Sequence, residues 1–266
     1  MLALSSSVHA QVDPWEFEVY PYATEGPGVL EIETDNAVVA GGHSDPDEGT
    51  GGPSFKSQGA WYNQYELTYG LTDRIEAALY LNMARPDGRS YQYAGSKYRL
   101  RGRLFDEETL PVNLGWYLEL EWHKTPQFDD SRLELEFRPI MEKDFGRVSI
   151  VLNPKFEKPI FLGPDKNKGF EFGYANAIYY RWMRYLSPGV EFYGGVGLID
   201  DNDPLREQQH YIFPVLWGSF PSGIGYSVGP GFGVTNNSDR VLVKFNLEFE
   251  KYIGALFKSA DNGWFF

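Results

Sequence analysis

The sequence contains no cysteine and only four histidines among its 266 residues. Without cysteine, neither a disulfide framework nor a thiolate metal site is available to the chain. Basic residues are also scarce, because 24 Lys and Arg stand against 37 Asp and Glu, which gives a net charge of −13. A protein that binds nucleic acid needs a basic surface to contact the phosphates, so we expect no nucleic-acid partner.

Long apolar runs are missing as well. No stretch approaches the roughly 18 apolar residues that a membrane-spanning helix needs, so if the chain enters a membrane it does so as strands. Aromatic residues and glycine are plentiful, at 17% and 29 residues respectively. This composition suits strands and turns better than a helical bundle.

Apolar and polar residues alternate along most of the chain. Clear examples are WYNQYELTY (61–69), VNLGWYLELEWH (112–123) and VLVKFNLEFE (241–250). Period two is the signature of a β-strand with two unlike faces, and several segments run to 10–13 residues, whereas soluble strands usually have about 5–6. A tilted strand needs about 9–11 residues to cross a bilayer. The pattern predicts an all-β transmembrane antiparallel barrel; a soluble β-sandwich or lipocalin-like barrel is the alternative, since its polar face would meet water.

We predict about twelve strands, and the connections between them fall into two length classes. The strands are expected at 28–40, 60–69, 74–83, 94–105, 111–123, 131–140, 147–156, 169–183, 189–199, 209–218, 223–234 and 240–252. Short connections such as 70–73 and 106–110 alternate with longer ones such as 41–59 and 84–93. Short periplasmic turns alternating with longer outer loops are typical of an outer-membrane barrel, with both chain ends in the periplasm.

The chain divides into four parts. Residues 1–10 are a residual signal-peptide-like segment, because Val8-His9-Ala10 resembles a signal-peptidase site; an unstructured tail is the alternative. Residues 11–27 are expected to be a periplasmic N-terminal segment, 28–252 the barrel, and 253–266 a C-terminal extension.

A basic stripe follows one face of the strand KYRLRGRLF (97–105). A charge facing lipid at the bilayer midplane costs about 2–4 kcal/mol, so the basic side chains must face the lumen. The neighbouring strands present acids to the same lumen. The predicted lumen charge stripe consists of Lys97, Arg99, Arg101, Arg103, Glu76, Glu119, Glu121, Glu134 and Glu136. One interpretation is a cross-strand ladder that stabilises the sheet, and the sharper one is a cationic track that guides an anionic solute.

The strand GIGYSVGPGFGV (223–234) places several glycines on its lumen face, which leaves room either for a bulky neighbour or for passage of a solute. Pro230 lacks a backbone N–H and therefore removes one bond of the ladder, so the sequence predicts a β-bulge there.

Catalytic and metal-binding patterns are weak. His123 and His210 fall at outer strand ends, but no serine is spaced to form a Ser–His pair with either, so we expect no enzyme activity. His43, Asp45, Asp47 and Glu48 could hold a divalent cation loosely, or form a solvated acidic loop. We assign no cofactor and no metal.

Several segments resemble one group of bacterial outer-membrane barrels. YELTYGLTDRIEAALYL (65–81) is similar to the strand–turn–strand signature of outer-membrane proteins grouped as transporters of the MetA-pathway of phenol degradation, and GVLEIET (28–34) resembles their first strand. FRPIMEKDFGRVSIVLNPKFEK (137–158) and VLVKFNLEFE (241–250) resemble a related branch of proteobacterial barrels. The resemblance implies an outer-membrane location and uptake of small or aromatic compounds, and it brings no catalytic residues. In such proteins the last strand commonly ends the chain in an aromatic residue, whereas here residues 253–266 continue beyond it.

These observations predict a passive outer-membrane channel or transporter for small aromatic or charged solutes. Its partners would be outer-membrane lipids, the small-molecule solute and the barrel-insertion machinery. Two alternatives stay open: a non-conducting structural or adhesive barrel, and a lipid-modifying outer-membrane enzyme that uses His123 or His210.

Overall fold

A computed structural model describes residues 11–44, 56–86, 88–124, 132–161 and 169–253. Within these residues the chain forms thirteen β-strands, of which twelve are long. The strands are β1 (Val29–Gly41), β2 (Trp61–Gly70), β3 (Ile75–Arg85), β4 (Gln92–Arg103), β5 (Asn113–His123), β6 (Leu133–Phe145), β7 (Val148–Phe161), β8 (Glu171–Tyr180), β9 (Ser187–Leu198), the two-residue β10 (Asp201–Asn202), β11 (Gln209–Ser219), β12 (Ile224–Gly233) and β13 (Val241–Tyr252). The described residues contain no helix that is long and apolar enough to cross a membrane.

The twelve long strands close into one antiparallel barrel. Each pairs with its neighbour along the chain, while β10 only extends the edge of β9. The first strand β1 pairs with both β2 and β13, and β9 pairs with both β8 and β11, so no long strand is left with a free edge. The prediction of an all-β antiparallel barrel of about twelve strands is confirmed.

Alternating residues of each strand point to opposite sides of the wall. In β4, Lys97 is 1% exposed whereas the next residue, Tyr98, is 56% exposed. The outer surface carries a continuous band of exposed apolar side chains, including Leu67, Leu100 and Phe245. Soluble monomers rarely expose so many apolar side chains, and a barrel presents such a surface to hydrocarbon.

The connections separate by end of the barrel. We call the end with 71–74, 104–112, 146–147, 181–186 and 220–223 the turn end, and the opposite end, where β1, β3, β5, β7, β9 and β12 finish, the loop end. The predicted size difference holds for most of them, but the turn-end connection 104–112 is longer than two loop-end connections, 86–91 and 234–240. The turn-end connection 104–112 has nine residues, whereas the loop-end connection 86–91 has six. The tightest turn, 146–147, requires glycine at its first position, because Gly146 has a φ of 64°.

The N-terminal segment lies inside the barrel, not in the periplasm where the sequence analysis placed it. We call residues 11–27 the plug. At the loop end, the backbone N–H of Val12 donates to the side-chain oxygen of Gln209 at 3.0 Å. At the turn end, the backbone N–H of Glu25 donates to Glu76 Oε2 at 2.7 Å. The plug therefore runs through the whole length of the lumen before the chain enters β1.

A proline pair interrupts the ladder between β11 and β12. Their register is unchanged on either side, with Ile212 opposite Phe232 and Leu216 opposite Val228. Pro214 and Pro230 stand between these pairs, and neither has an N–H to donate. The predicted bulge at Pro230 is therefore wrong: the ladder is broken without an extra residue, and the β12–β13 register through Pro230 is continuous.

Candidate functional site: the plugged lumen

Bases of the stripe on β4 form buried ion pairs with acids of β2 and β3. Arg99 Nη2 lies 2.7 Å from Glu66 Oε1 and 2.9 Å from Glu76 Oε1. Arg101 Nε lies 2.7 Å from the same Glu76 oxygen. Further along the strand, Arg103 is half-buried at the turn end and donates to the backbone carbonyl of Asp73. Two of the four bases are therefore held by carboxylates of the preceding strands.

Lys97 is surrounded by acids of the plug and of β5. Its Nζ lies 2.5 Å from an Asp13 oxygen and 2.7 Å from Glu16 Oε2. The same nitrogen is 3.2 Å from Glu119 and 3.4 Å from Glu121. Lys97 thus joins the wall to the plug, a contact that strand periodicity does not predict because Asp13 and Glu16 precede the first strand.

The remaining predicted acids continue the network around the wall. Glu136 of β6 accepts from Arg138 and lies 3.1 Å from Lys155 Nζ of β7. Glu134 and Glu121 flank His123, at 3.5 and 3.7 Å from its ring nitrogens. All nine predicted stripe residues thus line one side of the lumen. Arg103 lies at one end of this group of residues and Glu134 at its other end.

A layer of aromatic rings and guanidinium groups fills the middle of this side. Arg138 lies 4.4 Å from the ring centroid of Tyr117 and 5.0 Å from that of Tyr20 in the plug. Arg99 lies over the rings of Tyr20 and Tyr80, at 4.9 and 5.3 Å. Cation–π contacts of this kind are stronger when both groups are shielded from water.

Side chains of β7 and β13 bind backbone groups of the plug. Asn153 of β7 accepts from the N–H of Tyr20 at 2.8 Å and donates to its carbonyl at 3.1 Å. Lys244 of β13 donates to the carbonyl of Phe17 at 2.8 Å. Because these side chains satisfy backbone groups of the plug, an extended peptide can lie in the lumen without pairing to a strand.

The sequence carried one signal for the plug. Residues 15–19, WEFEV, alternate apolar and acidic side chains as the strands do. In the structure the apolar members face an aromatic cluster, in which the Phe17 ring lies 5.3 Å from that of Tyr193 and 4.8 Å from that of Phe213. The acidic member Glu16 faces the basic stripe. The segment was too short to be distinguished from a loop by periodicity alone.

Four carboxylates converge where the plug meets β1 and β2. Glu18 belongs to the plug, Glu33 and Asp35 to β1, and Glu66 to β2. One oxygen from each lies within 4.8 Å of the others. We call this group the acidic clasp. A second acidic group, Glu25, Glu31 and Glu250, meets the same spacing and is less buried.

A cavity remains beside the plug at the turn end. Its volume is about 670 Å³. The rings of Tyr179 and Trp217 and the side chain of Val151 line it together with charged groups such as Arg181 and Glu142. The cavity thus combines aromatic and charged surfaces and is large enough for a small organic molecule.

The two histidines that an enzyme would use have other partners. His210 lies against Tyr174, whose hydroxyl is 2.9 Å from Nδ1, and its Nε2 is 2.7 Å from Gln208 Oε1. Both ring nitrogens of His210 are therefore occupied by groups other than serine. His123 faces the lumen between two carboxylates. Of the predicted acidic loop, residues 45–48 lie outside the described residues, and His43 donates its backbone N–H to Ser57.

Comparison with known proteins identifies the fold. No protein-family model matches the chain, and no curated protein sequence is similar to it. Among solved structures, the COG4313 outer membrane channel from Pseudomonas putida F1 has a TM-score of 0.59 and 12% sequence identity, over 91% of this chain and all of that one. A bacterial polysaccharide outer membrane secretin and the translocator domain of the autotransporter NalP from Neisseria meningitidis have TM-scores of 0.43 and 0.42, with 11% and 10% identity. They match 85% of this chain each, and 100% and 88% of their own chains. Of these three likenesses, the first has a TM-score above 0.5 and shows a shared barrel fold.

Proposed function

We propose that the protein is an outer-membrane channel for small solutes whose lumen is closed by its own N-terminal segment. The observation that carries the proposal is the plug itself. A lumen that holds an extended peptide with its side chains is wide enough for a small solute once that peptide moves. The plug is held by non-covalent contacts alone within the described residues, so it can leave the lumen without the breaking of a covalent bond.

The outer surface and the likenesses support the location. The exposed apolar band fits the hydrocarbon of a bilayer, and the polar lumen fits a water-filled or peptide-filled interior. The resemblance of residues 65–81 to MetA-pathway transporters and the fold shared with an outer membrane channel both favour the outer membrane.

The cavity at the turn end suggests the class of solute. Aromatic rings offer stacking surfaces, while the partly exposed Arg181 on its lining offers charge-assisted hydrogen bonds. We therefore propose small aromatic compounds that carry a polar or acidic group as the transported class.

Conductance in planar bilayers tests the proposal. We expect the full chain to conduct weakly and a variant without residues 11–27 to show a larger single-channel conductance. If that deletion prevents folding, a full-length chain with Phe17→Ala, which keeps both ion pairs of Glu16, should open more often, because the plug loses its ring contacts with Tyr193 and Phe213. Arg206→Gln, at an exposed loop-end pair with Glu207, is the control. Silence of all these variants would rule out a channel.

A closed structural barrel is the second candidate. It is favoured by the burial of Glu16 between Lys97 and Arg138, which holds the plug firmly. The same bilayer experiment separates the two, since a structural barrel conducts in no variant.

The lipid-modifying enzyme is a third and weaker candidate. Release of fatty acid from vesicles would test it, with the double variant His123→Ala, His210→Ala as the comparison. Activity that survives in this variant would exclude the proposed histidines.

A further inference from the structure

We propose that the acidic clasp binds one Ca²⁺ ion, which joins the plug to the barrel wall. The clasp takes Glu18 from the plug and its three other carboxylates from β1 and β2. An ion held by all four would therefore connect a removable segment to fixed strands.

The charge balance of the clasp calls for a cation. Glu33 of β1 stands directly opposite Glu66 of β2 on one side and Glu248 of β13 on the other. Like charges directly opposite each other destabilise a sheet. Arg99 pairs with Glu66, but it shares its guanidinium group with Glu76, so negative charge remains in excess. Buried charges persist only when they are paired or bound to a metal.

Several oxygens of the clasp lack a partner. Both carboxylate oxygens of Asp35, a residue that is 99% buried, accept no hydrogen bond from an N–H or hydroxyl group of the described residues, and only the carboxyl group of Glu33 is within hydrogen-bond reach. Oε2 of Glu18 and Oε2 of Glu66 also accept no hydrogen bond from such a group. Leaving such groups unsatisfied costs more than an ordinary hydrogen bond contributes, so a ligand at this point would recover that energy. This observation is independent of the clustering and points to a bound ion.

The donor set selects the metal. The clasp offers carboxylate oxygens, which hard cations such as Ca²⁺ and Mg²⁺ prefer. Two oxygens on opposite sides of Ca²⁺ are about 4.8 Å apart, twice a bond of about 2.4 Å, and the clasp oxygens lie within 4.8 Å of one another. Mg²⁺ demands bonds of about 2.0–2.1 Å in a strict octahedron, which four carboxylates on three separate segments satisfy less well.

A neutral ligand is also at hand. Gln64 stands opposite Asp35 in the β1–β2 register, and its side-chain oxygen is buried without a hydrogen-bond partner among the described residues. Its amide nitrogen donates to Asn82 at 2.9 Å, so the amide oxygen is the atom left for another contact. Amide oxygens commonly complete Ca²⁺ sites.

The consequence for transport rests on the proposed function. If the plug closes a channel, bound Ca²⁺ would hold it in place, and removal of the ion would loosen the link between Glu18 and the wall. The channel would then open more readily in chelator than in calcium. Binding itself does not depend on whether the barrel conducts.

Direct binding measurements test the site. Purified protein in detergent is stripped with a chelator and titrated with CaCl₂ by calorimetry, and with Tb³⁺, whose luminescence is sensitised by nearby rings such as Tyr20. We expect one saturable site at pH 7.4. Asp35→Asn and Glu18→Gln should each weaken it by at least about tenfold, because each removes one charged ligand. Glu157→Gln is the matched control, since it changes a lumen glutamate that pairs with Lys155 on another wall and should leave the affinity unchanged.

Three results would overturn the site. The first is the absence of saturable binding below about 10 mM Ca²⁺, a concentration above the range of weak extracellular sites. The second is an unchanged affinity in Glu18→Gln. The third is a loss of affinity in the control that equals the loss in the clasp variants. If Asp35→Asn does not fold, Glu18→Gln decides, because Glu18 belongs to the plug and not to the wall. Bilayer conductance in calcium and in chelator then separates the two proposals. A barrel that binds Ca²⁺ and never conducts overturns the channel alone, and one that conducts without binding Ca²⁺ overturns the clasp alone.

Discussion

The carboxylate of Glu16 lies 2.6 Å from the guanidinium group of Arg138, although the two residues are 122 positions apart in the chain. The other oxygen of Glu16 lies 2.7 Å from Lys97 Nζ. One acid of the plug therefore links β4 to β6. It also neutralises two buried bases that the wall alone would leave less well paired.

We predict that Glu16→Gln strongly destabilises the folded barrel. Removing one partner of a buried ion pair leaves the other charge uncompensated and costs about 3–5 kcal/mol. Denaturant unfolding in detergent, followed by tryptophan fluorescence, measures the change in the free energy of unfolding. The control is Arg206→Gln, whose exposed pair with Glu207 should be worth about 1 kcal/mol or less. Equal effects of the two substitutions would show that the plug does not stabilise the wall.

Arg101 and Arg103, two neighbouring bases of the stripe, should respond differently to substitution. Arg101→Gln removes a buried ion pair with Glu76 and should cost about 3–5 kcal/mol. Arg103→Gln removes a hydrogen bond to the carbonyl of Asp73 from a half-buried side chain and should cost about 1–2 kcal/mol. The free energy of unfolding of each variant, compared with the unsubstituted chain, is the measurement.

This pair of variants also separates the ladder from the cationic track. If the stripe serves as a ladder, the stability losses differ as stated. If it is a track that attracts an anionic solute, both substitutions should shift the ion selectivity of the barrel without residues 11–27 by similar amounts. Comparable selectivity shifts with equal, small stability losses would contradict the ladder.

The period-two pattern was enough to predict the barrel, because one face of every strand is apolar and the other polar. Most strand ends fall within three residues of their predicted positions, whereas β6 and β7 extend about five residues further. Their connection is the two-residue turn 146–147, and Met141, predicted to begin a loop, is instead paired with Leu152. The alternation of apolar and polar residues continues up to the turn, but the polar residues near Gly146 are of types that are common in loops.

The plug was not predictable from the same pattern. A strand is recognisable in a sequence by its repeated alternation of apolar and polar residues. An extended segment inside a barrel instead depends on partners from several strands, and these partners are distant in sequence. Asn153 binds Tyr20 from 133 positions away, and Lys244 binds the carbonyl of Phe17 from 227. Period two shows which residues face the lumen, but it does not show what they contact there.

Glycine at position 231 makes room for Phe213, and we predict that filling the space is destabilising. A Cβ at Gly231 would overlap the Phe213 ring. Gly231→Ala should therefore cost about 1–3 kcal/mol, the usual range for overpacking. Adding Phe213→Leu should recover part of the loss, because the smaller side chain frees the space. Gly169→Ala is the control, since its Cβ would meet only Asp200 at an ordinary distance of 3.8 Å. Absence of recovery in the double variant would contradict this account of the lumen glycines.

The last prediction concerns pH and the turn end of the plug. Burial, with the neighbouring Glu250 and Glu76, raises the pKa of Glu25 to about 7 from 4.5. A carboxyl group with a raised pKa in the folded state binds its proton more tightly there than in the unfolded chain. Its contribution to stability is therefore present at low pH and is lost as the pH rises from about 4.5 to about 7.

Glu25→Gln tests this, because glutamine cannot ionise and keeps a similar shape. We expect the variant to be more stable than the unsubstituted chain at pH 8, and the difference to shrink or vanish at pH 4.5. Unfolding midpoints measured at both pH values in the same detergent give the comparison. Glu207→Gln, at a partly exposed loop-end position, is the comparison variant. A difference between the Glu25 variant and the unsubstituted chain that grows toward low pH would mean that Glu25 is stabilised as an anion. In that case the contact of the plug with the acids of the turn end would stabilise the folded protein at high pH instead of destabilising it.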